Sequence, residues 1–172
     1  MYQAVADARH RIEEEAVDTL EVFAAIPDAA LAQAVTPAHR DLARLGWHLV
    51  ESLISMPALV GLKVEGPAPG ESGLFEAPAP ARMETITAAY RTALASLLSQ
   101  LEAWSDADLQ REDELYGQTW KRGYTLEAML VHQVHHRGQM TVLMRQAGLK
   151  VPEIYGPVLE EWAAMGAPAP VV

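Results

Sequence analysis

The sequence predicts an all-α protein, a four-helix bundle, and three observations point there. Four stretches carry apolar residues at intervals of three and four, the spacing of one helix face. No stretch alternates apolar and polar residues over the length of a core strand. A long connection rich in glycine and proline separates the second stretch from the third, and a link of that kind can cross the end of a bundle.

The first helix is expected from about Tyr2 to Ala25, on a stripe of Val5, Ala8, Ile12, Ala16, Thr19 and Phe23. Glu13, Glu14 and Glu15 read as a solvated run, and Pro27 ends the segment. Thr36-Pro37 reads as the next helix start, a threonine cap with proline at the first helical position. That helix is expected to reach Pro57 or a turn beyond, burying Leu42, Leu45, Leu49, Leu53 and Met56. Residues 66–80 form the long connection, in which Leu74 and Phe75 are expected to pin the loop to the bundle. Its length also allows neighbouring helices to run parallel.

The third helix is expected over Ala81–Trp104, stopped by Ser105-Asp106. Residues 108–124 read as irregular, with a short hairpin at Tyr116-Gly117. Thr125 is expected to cap the fourth helix, which ends at Gly148 as a C′ glycine. A helical turn is expected over Val158–Met165.

With 172 residues, half of them apolar, the chain (residues 1–172) fits one domain that closes a core without staples. Cysteine is absent, which excludes disulfides, thiolate ligands and a cysteine nucleophile. The N-terminal residues lack the apolar core of a signal peptide, and no run reaches the ~20 apolar residues of a membrane span. A cytoplasmic protein is expected. The net charge of −10 and the scattered basic residues argue against nucleic acid and anionic membranes as partners.

Chemistry concentrates in His132-Gln133-Val134-His135-His136. At about 100° per residue, His136 falls at the centre of the arc made by Met129, Met140, Leu143 and Ala147, His132 within about 40° of it, and His135 at its margin. His132 and His136 are therefore the inward pair, one turn apart, with Cβ atoms roughly 5–6 Å from each other. Two imidazoles so placed can share a metal ion, or can each be an ordinary hydrogen-bonded core histidine, and spacing does not choose between these. A third ligand would come from another helix. His48, in mid-helix beside the apolar stripe, is the best placed, whereas His10 projects away from its stripe and His39 lies in a first turn. Gln139 sits beside the pair and could orient a ligand or bond a substrate. Glu51, one turn after His48, reads as a surface carboxylate, with a fourth ligand or a base as the alternative.

The stretch Gly117-Gln118-Thr119 to Tyr124-Thr125, then His132 to Gln139, Arg145-Gln146-Ala147-Gly148, Val151-Pro152 and Tyr155-Gly156-Pro157 resembles the C-terminal half of the DinB/YfiT-like metalloenzyme family. The His-x-x-x-His-Arg-Gly-Gln core is its most specific part, and Leu45-Gly46-Trp47-His48 resembles the family's second-helix segment. The resemblance implies a four-helix bundle with an unusual connection order, commonly a homodimer, with nickel or zinc on His48, His132 and His136. It implies, from some relatives, transfer or isomerisation with a low-molecular-weight thiol as co-substrate and a small molecule as substrate.

Three readings stay open. A metal-dependent transferase would activate a small thiol, for which a protein without cysteine of its own is suited. A metal-dependent hydrolase would activate water as hydroxide. A non-catalytic metal protein would instead have a full coordination sphere, with Glu51 completing it. On the outer face of the fourth helix Leu130, Val134 and Thr141 form a second apolar and small-residue stripe, which either a second subunit or the long connection could cover.

Overall fold

The computed structural model describes residues 1–72 and 75–171. Four long helices form the bundle: α1 (Val5–Ala24), α2 (Leu42–Ala58), α3 (Met83–Leu101) and, last in the chain, α5 (Arg122–Gln146). Between α3 and α5 lie a single helical turn, α4 (Asp106–Leu109), and the hairpin β1 (Glu112–Leu115) and β2 (Gln118–Lys121). The two strands are antiparallel, with Leu115 opposite Gln118. Tyr116 and Gly117 between them have φ of 55° and 73°, the left-handed pair that a two-residue type I′ turn needs.

The bundle is square, each of α1 and α2 packing on both α3 and α5. Side-chain pairing gives the directions. Gly46 of α2 lies against Ile86 near the start of α3, while Lys63 and Glu65, just past α2, bond Gln100 and Ser96 near the end of α3. Thus α2 and α3 run parallel. Arg9 near the start of α1 meets Glu102 at the end of α3, so α1 opposes α3. The long connection therefore carries the chain back along the length of α2, about 25 Å for 17 residues. This is the parallel arrangement a long link permits.

The hydrophobic stripes supply the core as expected. Ile12, Phe23, Leu42, Leu49, Leu53 and Ile86 are among the fully buried side chains. Phe75 packs against the core; the expectation for Leu74 falls outside the described residues.

Helix starts depart from expectation. Thr36 does not cap α2. Its hydroxyl is 2.6 Å from His39 Nδ1 in a local turn, and the amides of Leu42 and Ala43 bond back to Gln33 and Leu31. The helix therefore begins one residue after Asp41, whose carboxylate accepts from the Arg44 amide at 2.7 Å. Thr125 lies inside α5 instead of capping it, because β2 runs directly into the helix through Lys121. Two starts are capped from far along the chain: Asp106 accepts from the Val5 amide and Asp28 from the Met83 amide, both at 2.8 Å. Gly148, with φ 72°, ends α5 as expected. The amides of Leu149 and Gly148 return to the carbonyls of Met144 and Arg145, the Schellman pattern. Residues 158–165 make turns but no helix.

The glutamate run is not wholly solvated. Glu15 is buried and meets the equally buried Arg137 of α5. Arg137 also donates to the Glu15 carbonyl at 2.8 Å and to Thr19 Oγ1 at 3.2 Å. The Tyr155 hydroxyl joins the same cluster, bonding Glu15 and accepting from Arg137 at 3.1 Å. Tyr155 thereby fastens the C-terminal segment to α1 and α5. The outer stripe of α5 is consequently covered in part by the chain itself. Leu130 is buried, and Val151, Ile154, Tyr155 and Val158 line a groove with Val134 and Thr141.

Candidate metal centre

The centre lies between α2 and α5, which run antiparallel: Gly46 of α2 lies against Met140 of α5, while Gln133 earlier in α5 bonds the Leu49 carbonyl at 2.8 Å and Ser52 Oγ at 2.6 Å. This buried amide fixes the register of the two helices one residue from His48 and from His132. Sequence reasoning missed it because a glutamine beside two histidines gives no signal of burial.

Register and helical spacing together bring three imidazoles to one point. His132 Nε2 is 3.4 Å from His48 Nε2 and 3.2 Å from His136 Nε2. A tetrahedral ion with metal–nitrogen bonds of about 2.0–2.1 Å separates its ligand nitrogens by about 3.3 Å. Only lone pairs and ring protons meet there, and neutral rings in this arrangement are satisfied by a shared cation better than by each other. His48, His132 and His136 together could hold a metal ion. No fourth protein ligand joins them among the described residues.

The outer ring nitrogens differ in their partners. His136 Nδ1 lies 2.8 Å from Gln139 Oε1, so Nδ1 carries the proton and Nε2 is left with its lone pair. Gln139 is exposed, and its Nε2 reaches His135 Nε2 at 3.0 Å. His135 thus supports the centre from outside. His48 Nδ1 is 3.5 Å from Glu51 Oε2, in ion-pair range but long for a hydrogen bond. His132 Nδ1 is buried without a hydrogen-bond partner among the described residues.

Glu51 is not the surface carboxylate its position suggested. It is buried and paired with Arg44, on the side of His48 away from the shared point. His10 and His39 are both exposed, but His39 lies in the turn before α2 and not in the first turn of that helix.

Burial, and after it the neighbouring rings of His136, His48 and His135, pushes His132 down from the usual 6.5 to about 4. Burial also lowers His136, against the opposing effect of its hydrogen bond to Gln139. Both rings are therefore neutral near pH 7, the form in which imidazole binds metal.

Two clefts open beside the trio. One of about 390 Å³ is reached past His136 and Gln139 over a floor of Leu45, Val142 and Leu143. The other, about 550 Å³, lies on the His48 side between Glu51 and residues Phe75, Ala77 and Pro78 of the long connection. Arg40 lines both.

A helical bundle with three histidines converging from two of its helices fits a metal-binding protein. The chain belongs to the DinB family, whose profile matches residues 1–169. It is 36% identical over 171 residues to the protein YrdA of Bacillus subtilis (strain 168), covering 99% of each chain. Among solved structures it is similar to a DinB-like protein from Bacillus cereus ATCC 10987, with TM-score 0.82 and 34% identity over 90% of this chain and 100% of that one. It also shares its fold with the DinB-like protein YjoA of Bacillus subtilis, with TM-score 0.67 and 16% identity over 87% and 96% of the respective chains.

Proposed function

We propose that the protein is a metal-dependent enzyme that activates a low-molecular-weight thiol for transfer to an electrophilic small molecule, at a divalent ion held by His48, His132 and His136. The observation that supports this most is the convergence of three Nε2 atoms at ligand spacing with no fourth protein ligand in the group. Glu51, which would have completed a closed sphere, faces the other ring nitrogen of His48 and is engaged by Arg44.

A divalent ion bound there supplies Lewis acidity and lowers the pKa of a coordinated thiol or water. The protein's own residues prepare the site. Gln139 fixes the tautomer of His136, Glu51 sits against His48, and burial keeps His132 unprotonated. The clefts on both sides give a substrate access to the open position.

Purified protein loaded with zinc or nickel and dialysed is expected to retain about one ion per chain. His132→Ala is expected to lose it, and His135→Ala to keep it. Loaded protein is then expected to accelerate the loss of a small thiol in the presence of an alkylating agent. Stoichiometric metal in His132→Ala contradicts the ligand assignment. Metal without thiol loss but with ester hydrolysis favours the hydrolase reading.

The exposed Val131 on α5, 64% accessible, supports a second proposal, that this helix face meets the same face of a second subunit, with Val142, 56% accessible, at the edge where that face borders the smaller cleft.

A further inference from the structure

Arg40 stands apart from the other charged groups around the centre. Arg44 is committed to Glu51 and to the Ala77 carbonyl. Arg40 forms no ion pair and no hydrogen bond among the described residues, yet it lines both clefts beside the histidines. The chain carries 23 acidic residues against 13 basic ones, and none of the acidic ones lines the smaller cleft.

The charges there do not balance. Glu51 is offset by Arg44, and Glu76 lines only the larger cleft, so in the smaller cleft Arg40 and any divalent ion on the three imidazoles face no carboxylate. Charge of one sign in a partly enclosed cleft attracts its counter-charge and raises its local concentration. Three further polar side chains, His39, His136 and Gln139, line the cleft, and the rest of its wall is apolar: Val35, Leu45, Val142 and Leu143. The volume of about 390 Å³ lies within the range of small-molecule sites. A single guanidinium over an apolar floor suits a planar carboxylate, which it can bind through two parallel hydrogen bonds.

We infer that the smaller cleft binds a small carboxylate with an apolar body, its carboxylate on Arg40 and its body on Leu45 and Leu143, and that this anion is the substrate class of the centre. The inference rests on the reading of the histidines as a metal site. It adds a specificity residue, Arg40, outside the ligand set.

The test titrates hexanoate, hexanol and hexylamine into zinc-loaded and metal-free protein by calorimetry, using wild type, Arg40→Lys and Arg40→Met. Metal content and thermal unfolding are measured on each sample. Hexanoate is expected to bind wild type, and to bind Arg40→Met at least about tenfold more weakly, with Arg40→Lys between them. Hexanol is expected to lose a similar factor against wild type, and hexylamine to show no binding. Equal hexanoate affinity in wild type and Arg40→Met overturns the inference, as does equal affinity for hexanol and hexanoate, or no hexanoate binding at millimolar concentration. Wild type that fails to take up zinc overturns the metal reading instead, and the metal-free titrations still decide the role of Arg40.

Discussion

Arg137 and Glu15 are 122 positions apart, and their side chains meet at 2.5 Å with both almost wholly buried. The pair holds α5 to α1 on a flank of the helix about 100° round from His136. Each also has a more exposed ion-pair neighbour, Arg11 for Glu15 and Asp18 for Arg137, so removing one partner leaves the other buried charge only partly compensated. Arg137→Leu is expected to cost up to about 3–5 kcal/mol, whereas the double variant Glu15→Leu/Arg137→Leu should cost less than the two single changes summed. Denaturant unfolding of the four proteins measures this, and strict additivity would refute the coupling.

Gln139 tests the support of the proposed metal ligands. Gln139→Ala removes the acceptor on His136 Nδ1 and the link to His135. Metal affinity is expected to fall about tenfold or more with the fold unchanged. Competition with a chelator gives the affinity, and an unchanged value would reduce Gln139 to a surface residue.

The pH dependence of the metal-free protein follows from His132. Its ring protonates near 6.5 in the unfolded chain but only near about 4 in the folded one. Between these values the unfolded state binds more protons, so stability rises with pH across that window and is lost as pH falls through it. Melting of metal-free wild type at pH 4 to 6.5 should therefore show a steeper rise than His132→Asn. Parallel profiles would mean that the ring titrates normally in the fold.

Gly123 is held close to the N-terminal segment. A Cβ there would lie 2.7 Å from the Tyr2 carbonyl oxygen and 3.3 Å from that of Leu109. Gly123→Ala is expected to destabilise by about 1–3 kcal/mol, read from the shift in the unfolding midpoint. Stability equal to wild type would show that the N-terminal segment yields freely.

The proposed subunit contact predicts a dimer by sedimentation at micromolar concentration. Val131→Asp/Val142→Asp is expected to be monomeric with its metal content intact. A monomeric wild type would remove the contact.

What the sequence shows and what it hides divide along physical lines. His132 and His136 are readable because their relation is helical and local. Gly148 is readable because its left-handed φ is almost reserved for glycine. Glu15 hides in a run of three glutamates, although it shares a face with Ile12, Ala16 and Thr19, and its partner Arg137 gives no local sign. Thr36-Pro37 carries a valid start signal, but tertiary bonds to Gln33 and Leu31 decide against it in favour of Asp41. The caps from Asp106 and Asp28 exist only once the chain has folded.

The parallel run of α2 and α3 gives the site two kinds of wall. Helices anchor the imidazoles, and their positions are fixed by the core behind them. Ala77 and Pro78 belong to the returning loop and face the larger cleft, while Phe75 beside them lines it and also packs on the core. Changes in that loop can therefore retune what enters while the anchored rings stay where they are, so relatives can diverge in preference and keep one frame.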